Sequence, residues 1–169
     1  MVKMSRLVGL FLVVVALPGC GLRPLYAGGN EGAVAQSLRD IEVAPIEGKA
    51  GWLVRNAITD RLAAVESASP RYRLVVKLDD EITGFGVRAD DAVTRERRTL
   101  RARYRLVDIS NNSVIIDATT GSDAGIDVAS SEYATIAAED TALERLAQTI
   151  ADQIISRLAL HAARGETGK

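Results

Sequence analysis

Apolar and polar residues alternate along three stretches of the chain, which is the period expected of a half-buried β-strand. Their apolar positions are Tyr72, Leu74, Val76, Leu78 and Ile82 in the first, Leu100, Ala102, Tyr104 and Leu106 in the second, and Val114, Ile116, Ala118 and Ile126 in the third. A turn at residues 108–113, centred on Asn111-Asn112, joins the last two as a tight hairpin. A weaker alternation over residues 38–46 ends at Pro45 and predicts an edge strand.

Two other stretches carry apolar residues at intervals of three and four, as on one face of an amphipathic helix. The first covers residues 52–65 and follows a predicted turn at residues 48–51. The second covers residues 132–163, with Ser130 or Ser131 as its N-cap and acidic residues in its early turns. The apolar positions are Val54, Ile58, Leu62 and Val65 in the first helix, and Ile136, Leu143, Leu146, Ala147, Ile150, Ile154, Ile155 and Leu158 in the second.

The order of these elements, β-α-β-β-β-α, predicts an α+β fold. We expect a two-layer sandwich in which two helices pack on one face of a four-stranded, mostly antiparallel sheet. No predicted element remains to cover the other face of the sheet. That face is therefore expected to be either solvated or an interaction surface.

The third predicted strand carries a row of basic residues opposite its core positions. They share one parity, so a straight strand places them in line on the uncovered face: Arg95, Arg97, Arg101, Arg103 and Arg105. Arg98 has the other parity and is expected near a bulge or the entrance of the strand. One interpretation is cross-strand ion pairing, which contributes roughly a few tenths of a kcal/mol per pair. The other is a row of guanidinium groups that binds anions, because arginine suits bidentate phosphate recognition.

Carboxylates on the neighbouring strands limit how positive this face can be. The outward positions of the second strand mix basic and acidic residues, namely Arg71, Arg73, Lys77, Asp79 and Glu81, and those of the fourth strand include Asp117, Asp123 and Asp127. Five arginines exceed the three opposed aspartates of the fourth strand. We therefore expect a residual positive stripe along the row.

The N-terminus has the features of a bacterial lipoprotein signal. Lys3 and Arg6 precede an apolar stretch at residues 7–17, which is shorter than the roughly 20 residues that a membrane-spanning helix needs. The run Leu17-Pro18-Gly19-Cys20 follows and resembles a lipobox, although proline at position 18 departs from the usual pattern. In such signals the cysteine is acylated and becomes the first residue of the mature chain. The alternative is an ordinary cleaved signal with an incidental cysteine.

These features predict four regions along the chain. Residues 1–19 form the signal peptide, and residues 20–37 form a lipidated tether in which Arg23-Pro24-Leu25-Tyr26 is pinned locally. Residues 38–163 form a single α+β domain, and residues 164–169 form a disordered tail.

Composition argues against several classes of protein. Two of the 21 basic residues lie in the signal peptide, which leaves 19 against 22 acidic residues and predicts no nucleic-acid binding. Cys20 is the only cysteine, so its modification leaves no thiol for a disulfide. The sequence has no phosphate-binding loop, nucleophile elbow or zinc-protease motif, and His161 is interpreted as compensating a helix dipole. We expect no catalytic residue, no metal and no cofactor other than the covalent lipid on Cys20.

Several short motifs follow one another along the chain. They are the lipobox with residues 21–26, the run at residues 41–46, Arg55-Asn56, and Glu132-Tyr133-Ala134 followed by residues 137–147. Taken in this order, they resemble the lipopolysaccharide-assembly lipoprotein family LptE in its alphaproteobacterial form. The resemblance covers nearly the whole mature chain and implies a sandwich of the kind predicted above.

The resemblance also implies a function. It indicates a non-enzymatic lipoprotein, palmitoylated and anchored in the outer membrane, that plugs the lumen of the β-barrel LptD from the periplasmic side and helps it deliver lipopolysaccharide. Gly21, with no aspartate after Cys20, is typical of outer-membrane sorting. Direct lipopolysaccharide binding is implied as well, with the five arginines as candidates by geometry alone. The alternatives are an auxiliary lipoprotein of an ABC-type lipid transporter and a structural lipoprotein without a ligand.

Overall fold

The structure is a computed structural model that describes residues 38–62, 69–87, 93–129 and 131–167. The predicted signal peptide, Cys20 and the tether lie outside these ranges. The described elements follow the predicted order: β1 (Ile41–Val43), α1 (Gly48–Leu62), β2 (Tyr72–Val87), β3 (Val93–Asp108), β4 (Val114–Asp127) and α2 (Glu132–Thr167). No helix within the described ranges is both long enough and apolar enough to cross a bilayer.

The four strands lie in the spatial order β1-β2-β3-β4. β1 runs parallel to β2, because α1 forms the crossover between them, and the other two pairs are antiparallel. The predicted mostly antiparallel sheet is therefore confirmed. β1 is the predicted edge strand, but it is only three residues long.

Both helices pack on the same face of the sheet and share one apolar core with it. The buried strand residues alternate with exposed ones, and they include Leu74 and Leu100, whose side chains are fully buried. The helices lie side by side and run in the same direction. Two ion pairs show this: Lys49 pairs with Asp140 at 2.6 Å near the start of α1, and Arg61 pairs with Asp152 at 2.5 Å near its end. No described element covers the other face, which we call the open face.

Two turns hold the ends of these elements. In the β3–β4 hairpin, the backbone N–H and the hydroxyl of Ser110 donate to Asp108 at 2.9 and 2.5 Å, and these bonds lower the pKa of the Asp108 carboxyl. Asn112 takes the left-handed conformation, with φ of 57°, as a tight turn requires. The carbonyl of Ser131 accepts the first helical hydrogen bonds of α2, so this residue occupies the predicted N-cap position.

The helices are longer at two ends than the sequence predicts. α1 begins at Gly48, so the turn predicted at residues 48–51 is wrong. Gly51 serves close packing instead, because a β-carbon there would lie 2.6 Å from the carbonyl oxygen of Ile46. α2 continues to Thr167, past the predicted end at residue 163, so the tail does not begin at residue 164. The alanines at the predicted end favour helix, and Arg164 suits the last turn.

Three apolar residues assigned to the core are exposed. Val114 is 51% exposed because the strands shift register between Leu106 and Val107, which pairs Val114 with Val107. Ile82 is 40% exposed on β2, opposite Arg98. Ile136 is 48% exposed because the first turns of α2 extend past the start of α1.

Arg98 does not lie near a bulge or at the strand entrance, as the sequence analysis expected. It stands in regular register opposite Ile82 and Ala124. Its side chain, only 12% exposed, forms two bonds to the carboxylate of Asp80 at 2.8 and 2.6 Å and donates to the Glu139 carbonyl on α2 at 3.0 Å. The bonds to Asp80 raise the pKa of the Arg98 guanidinium. Arg98 therefore lies on the helix side of the sheet, as its position in the strand predicts. Its side chain links α2 to the sheet.

Candidate functional site

The regular register of β3 sets the predicted row of arginines on the open face. All of its members are exposed: Arg95, Arg97, Arg101, Arg103 and Arg105. Their common parity keeps them away from the helices, because successive strand residues point to opposite sides of a sheet. The prediction that these five arginines lie on the uncovered face of the sheet is therefore confirmed.

Three of the five arginines pair with the three aspartates of β4. Arg95 contacts Asp127 at 3.2 Å, Arg101 contacts Asp123 at 3.5 Å, and Arg103 contacts Asp117 at 2.9 Å. Arg103 binds both oxygens of its partner, since a second bond measures 3.1 Å. More than half of each of the three arginine side chains is exposed, so solvent screens each pair and its contribution to stability is expected to be small. The cross-strand pairing interpretation accounts for these three residues.

The other two arginines have different surroundings. The guanidinium of Arg97 lies 5.4 Å from the ring centre of Phe85, which is the geometry of a cation–π contact. Arg105 forms no ion pair with any of the residues that the structure describes. It lies directly opposite Asp117, but Arg103 is the residue that takes this carboxylate.

The pair of Arg103 and Asp117 shifts the pKa of both side chains. The hydrogen bonds from Arg103 lower the pKa of the Asp117 carboxyl, and the charges of Arg103 and Arg105 lower it further. The same bonds raise the pKa of the Arg103 guanidinium. Because the folded carboxyl has the lower pKa, this contact stabilises the fold at neutral pH. That contribution is lost as the pH falls below the ordinary aspartate value of about 4.

Replacing Arg103 by glutamine is therefore expected to raise the pKa of Asp117 towards its ordinary value. A carboxylate titration followed by NMR measures this pKa directly. The matched control is Arg95→Gln, which removes an equal charge from the same face and should leave the Asp117 titration unchanged. An equal rise in both variants would indicate that the overall charge of the face, and not the bidentate contact, sets the pKa.

Charge is not evenly distributed along the open face. Its proximal half, near β1 and the β3–β4 turn, carries four basic and two acidic residues: Arg73, Lys77, Arg103 and Arg105 against Glu42 and Asp117. Its distal half, towards the β2–β3 hairpin, carries three basic and four acidic residues: Arg95, Arg97 and Arg101 against Asp79, Glu81, Asp123 and Asp127. The residual positive charge that the sequence predicts thus lies at one end of the described face and does not extend along the whole row.

A shallow depression of about 560 Å³ lies between the two halves. Lys77 and Arg103 line one part of it, and Asp79 and Arg101 line another. Gly121 forms part of its floor, and a β-carbon at this position would lie 2.5 Å from the Cδ atom of Arg101. The missing side chain therefore lets Arg101 lie across β4 and leaves the depression open.

The sequence analysis did not select Lys77 as a site residue. It lies directly opposite Arg103 in the β2–β3 register and forms no ion pair with a described residue. Its odd-numbered position on β2 predicts that it lies on the open face, but its proximity to Arg103 depends on the strand register, which the sequence pattern does not give. Among the described residues, no group of three histidine, cysteine, aspartate or glutamate side chains could hold a metal ion.

Comparisons with known proteins agree with this architecture. The sequence model of a family described as LptE, lipopolysaccharide-assembly, matches residues 38–158. No curated protein matches the chain. The solved structure of a lipoprotein from Caulobacter crescentus is 30% identical, with a TM-score of 0.66 over 77% of this chain and 96% of that one.

Two more distant structures share the fold. Rare lipoprotein B from Shewanella oneidensis is 14% identical, with a TM-score of 0.53 over 75% of this chain and 96% of that one. Lipoprotein B from Nitrosomonas europaea is also 14% identical, with a TM-score of 0.56 over 75% of this chain and 90% of that one. The family match, which spans most of the chain, and the 30% identical lipoprotein agree with each other. The chain therefore belongs to the LptE family of lipopolysaccharide-assembly lipoproteins.

Proposed function

We propose that this protein is an outer-membrane lipoprotein that plugs the lumen of the barrel LptD and binds lipopolysaccharide directly during its delivery. The observation that carries the proposal is a sheet face that no described element covers, with its surplus basic charge at one end. Family membership supplies the process, lipopolysaccharide assembly. No catalytic group or cofactor is needed for this role, since binding and placement are sufficient.

The proximal half of the open face suits the phosphates of lipid A and the inner core. Lys77 and Arg105 form no ion pair with described residues, so a phosphate does not have to displace a carboxylate from them. Hydrogen bonds between ionised partners are roughly twice as strong as those between neutral groups. Arg95, Arg101 and Arg103 already hold aspartates, and Arg97 lies over the Phe85 ring on the half where acidic residues outnumber basic ones. Arg105 is therefore the best phosphate ligand among the five candidates.

The composition of the surface is compatible with a barrel interior. The lumen of a large outer-membrane barrel is polar, so a plug must present charged and polar groups to it. The open face does so on three strands, and the exposed positions of α2 include Glu144, Arg145 and Asp152. Two or three acyl chains on Cys20 would hold the plug at the membrane, because each buried methylene contributes about 0.8 kcal/mol.

Affinity capture of the tagged chain from outer membranes is expected to recover a large β-barrel protein. Depletion of the chain should lower lipopolysaccharide at the cell surface, measured by surface labelling. The variant with Lys77→Glu and Arg105→Glu should still capture the barrel while it delivers less lipopolysaccharide, which separates the two parts of the proposal. Recovery of permease subunits of an ABC transporter in place of a barrel would contradict it.

A further inference from the structure

The proximal end of the molecule holds a groove between the C-terminal part of α2 and the sheet, mostly apolar in its larger part and lined largely by charged side chains in its smaller part. Two adjacent depressions, of about 310 and 240 Å³, share Ile115 and His161 in their linings. Leu38, Ile41 and Leu158 form the apolar floor of the larger depression. We call the two depressions together the proximal groove.

The rim of the proximal groove exposes large apolar side chains. Ile115 is 37% exposed and Leu160 is 41% exposed, and the adjoining β3–β4 turn exposes Ile109 and Val114. An apolar patch of this kind favours a partner, because covering it stabilises the fold by about 25 cal/mol for each Å² of apolar surface removed from water. The volume of the larger depression is at the low end for a small-molecule site, roughly 300–1,000 Å³. It suits one or two large side chains and is too small for a lipid with several acyl chains.

The chain itself brings a suitable segment to this groove. Leu38 is the first described residue and lines the larger depression, so the preceding segment meets the fold at the groove. Twelve residue steps separate Tyr26 from Leu38, a reach of at most about 40 Å. A short tether of this kind sets a local concentration on the order of millimolar, so weak contacts are sufficient for binding.

The chemistry of the segment matches the lining of the groove. Leu22, Leu25 and Tyr26 supply apolar side chains, and Pro24 fixes one backbone angle and so reduces the entropy lost on docking. Asp40 lines the larger depression and offers a carboxylate to Arg23. We propose that residues 22–26 dock in the proximal groove, with Leu25 and Tyr26 as the apolar anchors.

Docking would fix the orientation of the domain at the membrane. Cys20 lies five residues before Leu25, so an acylated Cys20 would be within about 17 Å of the groove. The proximal half of the open face would then lie on the membrane side of the domain. This inference concerns the chain alone and holds whether or not the open face binds lipopolysaccharide.

Photo-crosslinking tests the proposal on the full chain, purified from membranes in detergent. With p-benzoylphenylalanine in place of Ile115, illumination should give an intramolecular adduct with the peptide that contains residues 22–26, identified by mass spectrometry. The same reagent in place of Ile82, an equally exposed residue at the distal end, should give none. Leu25→Asp with Tyr26→Asp should lower the adduct yield at least tenfold. The matched control, Ala33→Asp with Ala35→Asp, adds the same charge to the tether and should leave the yield unchanged.

Other adducts at position 115 would overturn the proposal. These are a link to the acyl chains of Cys20, a link to a second copy of the chain in an isotope-mixed sample, or a link to another protein. A yield at position 115 no higher than at position 82 would overturn it as well. Both substituted residues are exposed in the fold, so neither probe is expected to prevent folding.

Discussion

Exchanging Lys77 and Arg105 together for glutamate is expected to weaken lipopolysaccharide binding at least tenfold. Both side chains lie exposed on the proximal half of the open face and pair with no described residue. Charge-assisted hydrogen bonds contribute about 1.5–3 kcal/mol each, and about 1.4 kcal/mol corresponds to tenfold in affinity. The loss of one such contact to a phosphate would therefore produce the expected effect. Calorimetry at physiological salt, with circular dichroism as a check of folding, measures it.

The matched control reverses two arginines of the distal half, Arg95→Glu with Arg97→Glu. It changes the charge of the open face by the same amount, on a half where acidic residues already outnumber basic ones. Binding should stay within about threefold of the unmodified protein, because long-range effects between exposed charges are screened over about 8 Å at physiological salt. Equal losses in both variants would show that binding responds to the charge of the whole face. An unchanged affinity in the proximal variant would exclude this end as the binding site.

Replacing Asp80 by alanine is expected to lower the free energy of unfolding by about 3 kcal/mol. The Arg98 guanidinium lies under α2 with little exposure, and Asp80 accepts two of its three hydrogen bonds to described residues. Without the carboxylate of Asp80, a nearly buried charge keeps one hydrogen bond, to the Glu139 carbonyl, and the weaker attraction of the Glu139 and Asp140 carboxylates. Equilibrium unfolding in urea measures the loss.

Asp79→Ala is the matched control for this prediction. Asp79 is the adjacent residue on β2, has the same side chain and is exposed on the open face. Its removal should change the free energy of unfolding by about 0.5 kcal/mol or less. The double variant Asp80→Leu with Arg98→Met should recover most of the stability, because removing both charges leaves nothing unpaired. Equal losses for Asp79→Ala and Asp80→Ala would contradict the structural role of Arg98.

Hydrophobic period was sufficient to predict the order of the elements and the face on which most strand residues lie. The row from Arg95 to Arg105 illustrates this, because parity alone separates outward from inward positions in a regular strand. Val114 shows where parity fails. One register shift beside Leu106 moves it away from the core, and no feature of its own sequence indicates that shift.

The ion-pair partners of the arginines on the open face were harder to predict than the face on which the arginines lie. Arg105 lies opposite Asp117, yet Arg103 holds this carboxylate. Asp123 accepts a hydrogen bond from Thr99, which lies opposite it, and also contacts Arg101 two positions further along β3. Such diagonal contacts depend on side-chain direction and sheet twist, which a linear pattern does not contain. The concentration of basic charge at the proximal half, by contrast, follows from the strand registers, which place its residues side by side.

The short strand β1 also sets the mechanical behaviour of the fold. A pulling force transmitted along the N-terminal segment enters the domain at Leu38 and reaches a strand held by three residue pairs. The β2–β3 hairpin behind it is held by fifteen. Under load β1 should therefore yield first, and the three long strands should keep their shape while it does.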